Sequence, residues 1–238
     1  MLSAKPWRTE AVIQLIAGVF VCLCLGVTTA GVLRQAGVAA FKSPDSFAGV
    51  LLATLSFQGA TCVLIFIFLK LHAVNWRDAF GFNASNLIKP LVLAVGVLLL
   101  ALLPILLLQH GSVLVLEKLG WPSEDQLAVD LILNAKSWWM RGYLVFFAVV
   151  LVPVAEEFLF RGLLYPFIKQ RGWPRLAWIG VSLLFALIHL NAPTFVPLFV
   201  FALVLTWLYE KTDCLLAPIV THGLFNSANL IILFTLPR

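Results

Sequence analysis

Charge is what this sequence has least of. Of its 238 residues only 11% are Asp, Glu, Lys or Arg, where a soluble domain carries about a quarter. Hydrophobic residues make up 62%, and the mean hydropathy is +1.02. A soluble core of this size cannot hide so much apolar surface, so a soluble domain is excluded and an integral membrane protein is expected. Runs of Lys and Arg are also missing. The net charge of +5 therefore reads as loop charge at a membrane surface, and a nucleic-acid partner is excluded. No CxxC pair occurs among Cys22, Cys24, Cys62 and Cys214, all in or beside apolar runs. They read as small buried hydrophobes, with no disulfide and no cysteine-based metal site. No internal repeat is visible, which weighs against a transporter built from repeated halves.

What is there is a series of long apolar runs. A run suffices to span when about 20 residues cross roughly 30 Å of hydrocarbon. The expected fold is an all-α, polytopic transmembrane helix bundle. It has about seven spans, near 11–33, 47–69, 90–116, 142–168, 176–190, 195–209 and 215–236, with an eighth if a long segment is broken. The first run follows Lys5 and Arg8 and is too long for a signal-peptide core, so it reads as a retained span. Pro104 is expected to kink the third. The fifth and sixth are short and need not cross fully. The stretch Asn75 to Phe82, aromatic and charged, suits an interfacial segment. The region 117–140 holds Pro122, Glu124, Asp125, Asp130, Lys136 and Trp138-Trp139 around an apolar cluster, and suggests an amphipathic surface helix ended by headgroup-level Trp residues. Residues 1–140 thus read as membrane spans with a surface loop, and 141–238 as the functional core.

Orientation follows from loop Lys and Arg. With the N-terminus inside, inside segments hold Lys5, Arg8, Lys70, Arg77, Lys89, Lys169, Arg171, Arg175 and Lys211, nine in all. Outside segments hold Arg34, Lys42, Lys118, Lys136, Arg141 and Arg238, six in all. The excess favours an N-terminus inside, beside a loop such as Pro44-Asp45 outside.

Three charges interrupt the fourth span within six residues: Glu156, Glu157 and Arg161. Each costs about 2.5–3.5 kcal/mol at a bilayer centre unless it faces protein or a watered cavity, so the group is a functional-site candidate. Glu157 and Arg161, four apart, share a helix face and can pair. Glu156 lies about 100° round the helix, so one carboxylate can be held by Arg161 while the other points elsewhere. Late spans carry three more polar groups: His189, four after Phe185, and His222 with Asn226, four apart on one face. Alone, each reads best as packing. Together they match what water activation requires. A carboxylate out of bulk water takes a proton near neutrality, and His and Asn donate to an oxyanion. Alternatively Glu156, His189 and His222 form a three-ligand zinc site with an open position for water.

The set Glu156-Glu157-x-x-x-Arg161, Phe185-x-x-x-His189 and His222-x-x-x-Asn226, in that order on separate apolar helices, resembles the three motifs of the CPBP (Abi) family. That family holds the type II CAAX prenyl endopeptidases and bacterial relatives linked to bacteriocin self-immunity. The resemblance covers about residues 143–236. It implies an intramembrane endopeptidase that hydrolyses a peptide bond near the membrane surface, on a peptide or protein substrate that lipidation would suit, among membrane lipids. By similarity, Glu156 activates the water with help from His189, Glu157 and Arg161 position the helix and the base, and His222 and Asn226 bind the oxyanion. Both a Zn2+ enzyme and a metal-free glutamate mechanism fit the resemblance. Two other readings compete. A non-catalytic membrane adaptor or immunity-type protein is disfavoured by the intact six-residue set. A proton-coupled transporter, with Glu and His as relay, is disfavoured by the missing repeats.

Overall fold

The computed structural model describes residues 2–43, 46–82, 87–121, 126–135 and 137–235. Pro44, Asp45, Pro122, Glu124, Asp125, Lys136 and Arg238, with Leu236 at the end of the last expected span, lie outside the described residues. Among the described residues there is no strand, and nine helices follow one another: α1 Thr9–Gln35, α2 Phe47–Leu71, α3 Trp76–Phe80, α4 Ile88–Lys118, α5 Leu127–Leu133, α6 Trp138–Lys169, α7 Pro174–Leu187, α8 Ala192–Thr212 and α9 Leu216–Thr235. Six of them, α1, α2, α4, α6, α8 and α9, are long and apolar enough to cross a membrane. The chain is a multi-pass integral membrane protein with an all-α bundle. The fifth expected span is α7, whose 14 residues extend about 21 Å, short of the hydrocarbon thickness. The sixth is longer than its apolar run suggests, because Asn191 caps it early by accepting from the Thr194 N–H at 3.1 Å. α4 runs unbroken through Pro104.

Local chemistry sets the helix ends. Ser46 caps α2 through the Gly49 N–H at 3.2 Å, and Asn75 caps α3 through the Asp78 N–H at 3.0 Å, as short polar side chains do. Gly81 ends α3 with φ +72° and lies against the backbone of Asp213, so a Cβ there would collide. The contact is fixed by Leu215 N–H donating to Phe80 O at 2.9 Å.

The helices divide by burial. Half of the most apolar window of α8 is buried, against 17% for α4. Leu99 and Leu100 of α4 are 70% and 80% exposed, which suits contact with lipid tails, themselves as apolar as Leu. At one end of the bundle, polar contacts gather several helix ends. Lys5 pairs with Asp213 at 2.8 Å and Lys169 with Glu210 at 2.6 Å. The Leu2 N–H also donates to Glu210 at 3.3 Å, and Arg171 bonds Thr9. The segment before α1 is thereby strapped across the ends of α6 and α8. The start of α1, the end of α2, α3, and the ends of α6 and α8 share this basic face. At the opposite face Tyr143 of α6 donates to Thr54 of α2 at 2.9 Å. There Gln126, just before α5, donates to Thr194 of α8 at 3.0 Å.

Candidate active site

α6 carries the carboxylate pair and leaves the α-helical register twice. It is π-helical at Phe147–Leu151 and at Phe158–Leu164, a geometry frequent at functional sites. Each π segment ends two residues before a proline. The Val152 N–H reaches five residues back to Phe147 O, and the next residue, Pro153, has no N–H for the following carbonyl. That carbonyl, Ala148 O, instead accepts from Asn226 Nδ2 of α9 at 2.8 Å. Likewise the Tyr165 N–H reaches Phe160 O, and Pro166 offers nothing to the turn holding Arg161 and Gly162. The Trp7 indole N–H fills this gap at Gly162 O, 3.2 Å away. A carbonyl left open inside a bilayer costs several kcal/mol, so these two side chains make the prolines tolerable. α9 closes on the first π segment at Gly223, where a Cβ would sit 2.7 Å from Val149 O.

The carboxylates separate as their positions on the helix require. Glu157 and Arg161 are both fully buried and joined at 2.8 Å. Arg161 is held further by Ala202 O at 3.2 Å and Thr206 Oγ1 at 3.4 Å, both on α8. Its guanidinium lies 4.5 Å from the Phe185 ring centroid, a desolvated cation–π contact. Glu157 Oε1 also faces His222 Nδ1 at 2.9 Å. A carboxylate there assigns the ring proton to Nδ1 and turns Nε2 toward Glu156, whose Oε2 is 3.9 Å away. Phe185 and Phe201 stand edge-on to the His222 ring, centroids 5.8 and 5.6 Å off. Glu156 Oε2 has no hydrogen-bond partner among the described residues.

Glu156, His189, His222 and Asn226 all line one cavity of about 470 Å³, within the usual range of ligand pockets. Its walls follow helical spacing: Ala148, Val152 and Glu156 of α6; Leu106, Gln109 and Val113 of α4; and the face of α9 from His222 to Leu233. α5 adds Ile132 toward the far face. His189 sits in the turn after α7. Its Nδ1 faces Phe185 O at 2.7 Å, which leaves Nε2 as its free nitrogen. The structure thus gathers all six expected residues, four on the cavity wall and two, Glu157 and Arg161, directly behind it. Phe160 and Phe185 are buried packing residues, at 2% and 0% exposure, and Asn191 serves the turn by capping α8.

The donor types of Glu156, His189 and His222 suit zinc, and both imidazoles have Nδ1 anchored, as ligating histidines do. Yet among the described residues no three His, Cys, Asp or Glu side chains gather closely enough to hold a metal ion. As arranged, the three do not form a ligand set.

Sequence reasoning missed the α8 contribution. Ala202 offers only a backbone carbonyl, and Thr206 is one hydroxyl in an apolar run, so neither carries a signal. It also missed Trp7, and Gln58 and Gln109, lone amides in apolar spans, which did carry one.

Residues 137–228 match the family model described as type II CAAX prenyl endopeptidase Rce1-like. The match contains the carboxylate pair, Arg161, both histidines and Asn226. No curated protein and no solved structure matches the chain. Over residues 137–228, which carry the whole candidate site, the chain is similar to the Rce1-like type II CAAX prenyl endopeptidases.

Proposed function

We propose that the chain is an intramembrane endopeptidase in which Glu156 activates water. One observation carries this reading: of two adjacent buried carboxylates, Glu157 is held through Oε1 by Arg161 and His222, while Glu156 has no hydrogen bond among the described residues and lines the cavity. The 3.9 Å between Glu156 Oε2 and His222 Nε2 is long for a direct hydrogen bond and suits a bridging water. In the proposed step the water oxygen attacks the peptide carbonyl carbon and its proton passes to Glu156. The oxyanion receives the second N–H of Asn226, whose first is held by Ala148. His222, its Nδ1 held by Glu157 and its Nε2 turned toward Glu156, completes the oxyanion site. His189 Nε2 assists from the facing turn. The tetrahedral centre then collapses, the C–N bond breaks, and Glu156 returns the proton to the leaving amine. Glu157 and Arg161 act as positioning residues. The catalytic core is assigned to residues 141–238, although α4 of the N-terminal part supplies one cavity wall. A lipidated peptide is the substrate class that the family suggests.

The test is cleavage of quenched peptides, prenylated and plain, by purified protein, with metal content read on the same samples. Glu156→Gln should lose at least 10²-fold, the scale of a general base. His222→Ala and Asn226→Ala should each lose about 10²–10³, as oxyanion donors do. Zinc at one per chain, lost with His189→Ala and His222→Ala, would overturn the metal-free step. A wild type that cleaves none of the peptides would leave the membrane adaptor as the better reading.

A further inference from the structure

Two amides in the N-terminal spans stand where no packing argument puts them. Gln58 lies in the π-helical turn Leu55–Gly59 of α2, and Gln109 lies among leucines in α4. Both are half-buried and both line the cavity that holds Glu156 and His222. Neither side chain has a hydrogen bond among the described residues, although membrane interiors make an unpaired amide costly. On the α9 wall Asn229 donates to Phe225 O at 3.0 Å, which leaves its carbonyl oxygen free. Gln58, Gln109 and Asn229 therefore come from three helices and present paired donors and acceptors to one space. No Lys or Arg side chain lines that space, so a phosphate headgroup or other anion has no counter-charge there. A primary amide matches the peptide group, offering a donor for its carbonyl and an acceptor for its N–H.

We propose that Gln58, Gln109 and Asn229 form the subsite that binds the backbone of an extended, uncharged peptide segment next to the bond at Glu156. The N-terminal spans then supply substrate recognition, while residues 137–228 supply the chemistry. The proposal rests on the protease reading but is tested by binding, which does not need turnover.

The experiment uses full-length protein with Glu156→Gln in nanodiscs. The probe is a fluorescent, uncharged nonapeptide, read by anisotropy against empty nanodiscs, beside a counterpart with N-methylated central amides. Gln58→Leu and Gln109→Leu should each weaken binding about three- to ten-fold, the worth of one neutral hydrogen bond. The N-methylated peptide should bind weakly and equally to all forms. Met replacements, of similar length and also apolar, give a second set if a Leu variant does not fold. Unchanged affinity in the Leu and Met variants would overturn the proposal, and so would a nonapeptide that does not bind. Binding that depends on the glutamines, in a protein whose wild type does not cleave, would uphold the subsite and remove the protease reading. Cleavage with an unchanged KM in both variants would do the reverse.

Discussion

Arg161 decides what kind of site this is. Fully buried, it holds Glu157 on one side and the ring of Phe185 on the other, and it reaches α8 through Ala202 O and Thr206. Removing it leaves the Glu157 carboxylate buried beside His222 without its cation. Breaking a buried pair from one side costs about 3–5 kcal/mol. Arg161→Leu should therefore lower the thermal midpoint in detergent strongly, and Arg161→Lys should rescue little, because an ammonium cannot span Glu157, Ala202 and Thr206 as a planar fork does. The double variant Glu157→Leu/Arg161→Leu should recover much of the stability but none of the activity. A single Arg161→Leu as stable as wild type would sink this account. The pairing itself was legible in the sequence, since residues four apart on a helix meet. That His222 completes the arrangement was not, because 65 residues separate it from Glu157 and only packing brings α9 onto α6.

At the scale of elements, α6 is a helix that its own prolines would weaken, repaired from outside. Asn226 therefore has two functions, one to hold Ala148 O and one to face the cavity. The two can be separated. Asn226→Ala should destabilise by about 1–3 kcal/mol, the cost of an unsatisfied buried acceptor. Pro153→Ala restores a backbone N–H to that turn, so in its background the same change should cost clearly less stability. Activity should stay low in both Asn226→Ala proteins. Equal destabilisation with and without Pro153 would show that the carbonyl is not what Asn226 holds. The motif made Asn226 a candidate from sequence. The vacancy in the helix could be suspected from Pro153, but its filling by Asn226 could not be read, and neither could the matching repair of Gly162 O by Trp7.

The whole molecule is tied together at its basic face, where Lys5, Lys169, Glu210 and Asp213 join the segment before α1 to α6 and α8. An N-terminus inside, which the nine-to-six distribution of Lys and Arg favours, would make this the inner face and the Trp138–Trp139 end the outer one. Both Trp139 and Arg175 are exposed, at opposite ends of the bundle. In a cysteine-free background, a membrane-impermeant maleimide added to intact cells should label Trp139→Cys and spare Arg175→Cys until the cells are opened. The reverse pattern would invert the orientation. That α7 falls short of a full crossing while α8 reaches 21 residues belongs to this scale too. Hydropathy reports where a run is apolar, whereas caps such as Asn191 decide where a helix begins.

Composition and pattern by themselves determined that this chain lives in a membrane as an all-α bundle, because 62% hydrophobic residues in long runs have no other way to satisfy their backbone. They also marked the six polar residues worth attention, because charge inside such runs is costly enough to need a reason. Only the tertiary structure decided which glutamate is held by Arg161 and His222 and which lines the cavity, that α4 and α2 help to wall that cavity, and that two proline gaps are filled from α9 and the N-terminal strap. Those outcomes depend on which helix faces meet. Helix association in lipid is set by close packing and hydrogen bonds between segments far apart in the chain, which no local spacing records.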